Sequence, residues 1–341
     1  MKRKVLFLVS LSLLAFGACT RKAAPERNGW DNERHFPLYG DVESVTVTSY
    51  IVKEAFGGVV KDQPICSMVY RFNEQGNAIE YPLFEYVGEG EEEYLGGRFM
   101  SQYDSNGNIV ENVGYYGDGS LYEKIAHQYD SNGNKIESVS YNGDGSLGMK
   151  YLYRYDSNGN KIEETEYGSD GSLWQKHCYE YDSDGNIVVE IEYNGDGSLS
   201  ERIVYQYDSN GNMVEVAKYN NNGSLSEKIV HQYDSNGNKI ESATYNGDGS
   251  LWDKQCYQYD SNGNLVEEAW YNSDGSLWDK QCYQYDSDGK KIEKAGYNSD
   301  GSLYKKCNYK YDSQGNVIEM TDYQSFINCT TLTEYAIVYR K

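Results

Sequence analysis

The chain is short of positive charge, of proline and histidine, and of the aliphatic residues that fill an ordinary core. Lys and Arg number 31 against 53 Asp and Glu, a formal net charge of −22 over 341 residues. Such a balance repels a phosphate backbone and excludes nucleic acid as a partner. Phe occurs only 8 times, and with 19 Leu, 16 Ile and 22 Val in 341 residues the composition falls beside the disordered class. Tyrosine makes up the shortfall. Its 36 copies supply large apolar areas and favour strands. With 4 Pro against 35 Gly, the chain reads as many tight turns between extended segments. Four histidines leave little for metal chemistry, and no spacing resembles a zinc site. Nucleophile elbow and phosphate loop are missing as well, so no catalytic residue, metal or cofactor is assigned.

The longest apolar run is Val5–Ala15, preceded by three basic residues in Met1–Lys4 and followed by Phe16, Gly17, Ala18 and Cys19. Charge, short apolar core and small residues form an export signal, and the run is too short for a permanent membrane helix. A cysteine after two small residues resembles the lipobox of bacterial lipoproteins, with Phe16 where that motif has Leu. The resemblance implies a signal peptide over 1–18, lipidation of Cys19 as the membrane anchor and, with Thr20 following, sorting to the outer membrane. Residues 19–34 are polar and read as a tether.

Self-similarity organises the rest. Tyr-Asp-Ser-(Asn/Asp/Gln)-Gly recurs every 26 residues from Tyr103 to Tyr311, with a degenerate copy at Phe72–Asn77. Between copies lies a second signal, such as Gly143–Leu147, giving each repeat two turns and two extended segments. Asn-Gly and Asp-Gly are strong hairpin signals. If they form two-residue loops, Tyr129 faces Ile136, Tyr233 faces Ile240 and Phe72 faces Ile79, the aromatic against β-branched pairing that sheets favour. The same rule at the second turn sets Tyr167 opposite Trp174, Tyr245 opposite Trp252, Tyr271 opposite Trp278 and Tyr297 opposite Tyr304, on the other face of the sheet. Turn-to-turn distances alternate between 12 and 14 residues, which staggers the strands by about one residue each and tilts them by roughly 35°. The expected fold is all-β: an antiparallel hairpin meander, strongly tilted and coiled into a spiral or barrel-like shell.

These repeats resemble the RHS or YD-repeat family, whose Tyr-Asp-x-x-Gly hairpins wind into a hollow spiral; the resemblance covers Phe72 to about Tyr323. Asn134 and its equivalents stand where that family commonly has Arg, and toxin delivery is not carried over. A looser similarity exists to the repeat antitoxins of the YwqK type. Residues 35–97 read as an irregular, strand-rich N-terminal cap, 98–323 as the hairpin repeats and 324–341 as a C-terminal capping strand.

Asp130–Asn134 puts oxygen-bearing residues at alternate positions, but Lys135 stands where a calcium loop needs glycine and Tyr141 where it needs a bidentate Glu. Cys256 and Cys282 fall two strands apart, beyond disulfide reach. Cys307 is out of phase and faces the other way, and a Cys66–Cys329 bridge stays open. His127 and His231 share one repeat phase, which reads as structural. The aromatic ladder of Tyr167, Trp174, Tyr245, Trp252, Tyr271, Trp278, Tyr297 and Tyr304 is either the packed interior of the shell or an exposed stacking platform. On the second reading the chain is a non-enzymatic envelope scaffold for a neutral glycan or a protein. The alternatives are an immunity or antitoxin-like protein, and a glycan-active enzyme using the repeats as an accessory binding module.

Overall fold

The computed structural model describes residues 36–341 apart from 56–57, 89–90 and 326–328. The signal peptide, Cys19 and the tether therefore lie outside the described residues. The described chain is all-β, with 22 strands. Four long ones come first, β1 (Val42–Ala55), β2 (Gly58–Phe72), β3 (Ala78–Gly88) and β4 (Glu91–Tyr103). Short repeat strands of seven to nine residues follow, from β5 (Ile109–Tyr115) to β21 (Val317–Gln324), and β22 (Cys329–Tyr339) is last. Each strand pairs antiparallel with the next. The sheet then closes, because β1 pairs with both β2 and β22: Thr46 lies opposite Val69 on one side and Ala336 on the other. The shell is thus a barrel without edges, the full answer to the hazard of exposed strand edges.

The stagger read from the turn spacing is present. Val139 pairs with Lys150 and Lys150 with Tyr167, a step of 28 residues where the repeat is 26. Two residues of slip per two strands tilts the strands by roughly 35° and, around 22 strands, gives a ring about 40 Å across. Substantial contacts join only strands adjacent around the ring. The repeat strands are accordingly half-buried on both faces, and the barrel is hollow. Its packed core lies at the closure, where Leu38, Val42, Val45, Val47, Tyr70, Phe72, Ala78, Val317 and Tyr335 form one buried cluster. Asn316 latches it. That fully buried side chain accepts from Tyr39 N at 2.6 Å and donates to Tyr39 O and Tyr339 Oη.

The turns correct the pairing expected from two-residue loops. In the Tyr-Asp turn at Asp234, Gly237 N donates to Asp234 O and Asp234 N to Asn238 O, so the loop has three residues, Ser235, Asn236 and Gly237. Gly237 has φ +82°, the left-handed residue that ends a type I turn with a bulge. The Asp234 carboxylate dictates this choice: Oδ1 accepts from Asn236 N and Asn238 N, and Oδ2 from Asn238 Nδ2. Tyr233 therefore pairs with Lys239, Ile240 bulges out unpaired, and the expected register resumes at Gln232–Glu241 and His231–Ser242. Tyr129 likewise faces Lys135 in place of Ile136, and Phe72 faces Ala78 in place of Ile79.

Candidate functional site

The second turn follows the same rule and splits the aromatic ladder. Asn246 N donates to Ser250 O and Gly249 N to Asn246 O, while Asp248 Oδ1 accepts from Ser250 N and Ser250 Oγ. Tyr245 consequently faces Leu251, Thr244 faces Asp253, and Trp252 is the extra residue between them. The same shift sets Tyr167 opposite Leu173, Tyr271 opposite Leu277 and Tyr297 opposite Leu303. None of the four Tyr against Trp or Tyr pairs forms.

Strand alternation assigns what each face carries. One face holds the repeat tyrosines and is the crowded, concave one. Tyr153, Tyr179, Tyr205, Tyr257, Tyr283 and Tyr309 run along it, and burial pushes every one of these phenols up. From Tyr129 to Tyr311 each repeat tyrosine donates to the carbonyl 20 residues earlier, Tyr233 Oη to Met213 O at 2.8 Å, tying each repeat to the one before. The convex face carries a ladder of ion pairs, among them Lys254–Glu241 and Lys280–Glu267 at 3.2 Å. Tyr271 and Tyr297 lie on this face, beneath Lys254 and Lys280 at 5.9 Å from each ring centroid.

The displaced bulge residues go elsewhere. Tyr304 lies over Gly296, where a Cβ would meet its ring at 2.6 Å, and donates to Asp279 Oδ2 at 3.1 Å on the concave side. Tyr122 leans over Gly114 in the same way. Trp174, Trp252 and Trp278, at the equivalent slot, are 58%, 64% and 64% exposed. Indoles are rarely left so open, and large exposed apolar groups in a row mark interaction surfaces. Three residues at this rim escaped sequence reading: Asp253, Asp279 and Trp270. Trp270 pairs with Gln255 and Asp279 between the strands that carry Trp252 and Trp278; its Tyr-Asn neighbours were legible, but its face depended on the bulges.

The concave face also gathers charge. On β10 (Leu173–Tyr181), His177 faces Glu164 on one side and Glu192 on the other. Its Nδ1 is 3.5 Å from Glu190 and its Nε2 is 3.9 Å from Glu166. The Glu190 carboxylate holds His177 above its ordinary 6.5, while His177 in turn lowers Glu190, which also accepts from Tyr205 Oη at 3.1 Å. His127 and His231 differ. The Nδ1 of all three is buried with no hydrogen bond among the described residues, but at His127 and His231 burial is aided by Lys135 or Lys239 instead of being offset by a carboxylate, and it pulls each down to about 4. These shifts oppose each other with pH. His127 and His231 take up protons near 6.5 only when unfolded, so they subtract stability as pH falls from about 6.5 toward about 4. The His177 ion pair contributes fully below 6.5 and is lost as pH rises through its raised pKa. An NMR titration of the imidazoles is expected to show His177 titrating above 6.5 and the other two near 4. Three superimposed curves at 6.5 would contradict this burial pattern.

The described cysteines 66, 178, 256, 282, 307 and 329 are all free, so the Cys66–Cys329 bridge is not made. Cys307 faces Lys294 and Asp322 on the concave side, opposite in phase to Cys256 and Cys282.

A family model described only as an uncharacterised protein matches residues 96–231. No curated protein matches. Among solved structures, the crystal structure of TcdB2-TccC3 is 13% identical with a TM-score of 0.33, over 82% of this chain and 19% of that one. The chain thus spans about a fifth of that protein's length. A porin-like protein from Bacteroides uniformis is 12% identical with a TM-score of 0.32, over 87% of this chain and 98% of that one. A DUF1329 family protein from Desulfovibrio piger is 7% identical with a TM-score of 0.20, over 87% and 86%. At such scores none of them lends this chain a function.

Proposed function

We propose that the protein is a non-enzymatic binding scaffold of the bacterial cell envelope, anchored to the outer membrane by a lipid on Cys19 and offering the rim of its ring to a ligand. The observation that carries this reading is the exposure of Trp174, Trp252 and Trp278 at one end of the barrel. The wall supports a tethered ring over a bilayer-spanning one. A strand barrel in lipid turns apolar residues outward. Here one face carries Lys–Glu pairs such as Lys150–Glu137 and Lys306–Glu293, and the other carries Glu190, Glu268, Lys239 and Lys291, on which burial or ion pairing acts. Neither face suits hydrocarbon. Closure also leaves no strand edge for β-augmentation, so recognition falls to side chains.

A glycan array and a protein pull-down with the full chain carrying Cys19→Ala are expected to return a ligand whose retention drops when Trp174, Trp252 and Trp278 are all replaced by Ser. Equal retention by the wild-type and triple-Ser rims would end the scaffold reading.

A further inference from the structure

The rim is not uniform. Of its equivalent bulge slots, those at 200 and 226 hold Ser and that at 148 holds Gly, whereas Trp252, Trp278 and Tyr304 occupy three successive repeats. These lie on β16 (Leu251–Tyr259), β18 (Leu277–Tyr285) and β20 (Leu303–Tyr311). Trp270 stands on the intervening β17 (Leu265–Asn272). Two strands at about 4.8 Å each and the two-residue slip along them set the Trp252 and Trp278 positions about 12 Å apart, with Trp270 on the strand between. Trp174 is alone on its own arc.

We infer that the arc from Trp252 to Tyr304 seats a neutral glycan chain lying along the rim; this rests on the scaffold reading above. Aromatic faces recognise the apolar C–H faces of sugar rings, and separate platforms recurring with the period of the sheet fit a ligand that is itself periodic. Protein partners instead gather their anchors in one desolvated centre. Each exposed indole of this arc is followed by a carboxylate, Asp253 after Trp252 and Asp279 after Trp278, which turns toward the concave side beside Gln255 and Gln281; Trp174 is followed by Gln175. Carboxylate and amide groups placed next to a stacking face supply the acceptors and donors that sugar hydroxyls need. Tyr304 already donates to Asp279, fixing the carboxylate beside the Trp278 platform. The turn tips add charge of one sign. Bonds from Ser250, Ser276 and Ser302 hold Asp248, Asp274 and Asp300 below the usual carboxylate range, so all three are ionised at neutral pH and repel anionic polymers.

The test is affinity gel electrophoresis of the full chain in detergent, with hydroxyethylcellulose, glucomannan or xylan in the gel and polygalacturonate as the anionic control. Trp252→Ser with Trp278→Ser is the variant of choice, because Ser200 and Ser226 show that the fold accepts Ser in this slot. Wild-type protein is expected to be retarded by at least one neutral glycan and not by polygalacturonate. The double Ser variant should weaken that binding by about tenfold or more, as loss of central aromatic anchors does. Trp174→Ser, on the other arc, should change it by less than about twofold. Asp253→Asn with Asp279→Asn should weaken it measurably while leaving the circular dichroism spectrum unchanged. An unretarded wild type, or a double Ser variant that binds as wild type does, overturns the glycan assignment. If the gels are flat but the double Ser variant loses a protein that wild type captures, the glycan assignment falls and the scaffold reading stands. If the double Ser variant and the triple variant that also carries Trp174→Ser match wild type in both assays, both fall.

Discussion

Phe72→Ala is expected to destabilise the protein by about 3–5 kcal/mol, the usual cost of emptying a buried aromatic site. Phe72 is 3% exposed in the closure cluster with Val42, Val45, Tyr70 and Tyr335. Its carbonyl also accepts from Arg340, which forms an ion pair with Asp41. The effect should be large because the rest of the ring contributes so little burial: repeat strands touch only their neighbours, as in other repeat arrays whose stability is a sum of adjacent terms. Loosening the cluster reopens β1 against β22 and exposes two strand edges. Aggregation should follow unfolding. Ile240→Ala is the matched control, because Ile240 is an unpaired, exposed bulge residue and should cost less than about 1 kcal/mol. Urea unfolding followed by tyrosine and tryptophan fluorescence measures both. Equal losses would mean that the closure cluster does not hold the ring.

Cys19→Ala is expected to abolish incorporation of radiolabelled palmitate and to move the protein from the membrane fraction to the soluble one. A single acyl chain binds a membrane only marginally, so stable anchoring needs the multiple chains that a lipoprotein cysteine carries. A Cys19→Ala protein that still labels and still sediments with membranes would overturn the anchor and with it the proposed outer-membrane location.

Much of this was legible in the 26-residue repeat. Turn positions, strand number within the array, antiparallel meander and tilt follow from hairpin signals and their unequal spacing, because those are local properties of the chain. The pairing at each turn was not. A Tyr-Asp-Ser-Asn-Gly segment contains an Asn-Gly dipeptide that favours a two-residue loop, but also an Asp whose carboxylate caps the amides two and four residues on. The cap wins, the loop takes three residues and Ile240 becomes a bulge; at the second turn Asp248, inside the loop, accepts from Ser250 N and Oγ, and Trp252 is the bulge. One residue of difference decides the rim: it separates Trp252 from Tyr245 and leaves the indole in solvent.

The periodic β-meander with acidic turns is written locally in the chain, since each hairpin is specified within a few residues. Closure, hollowness and the fate of the aromatics are long-range outcomes that appear only in the folded ring. Closure depends on β1 meeting β22, nearly 300 residues apart in the chain, and no local pattern encodes such a meeting. Hollowness follows from closing so many tilted strands into one ring. The exposure of three tryptophans follows from a competition between side-chain capping and loop length, which is settled by hydrogen-bond geometry and cannot be read from residue types.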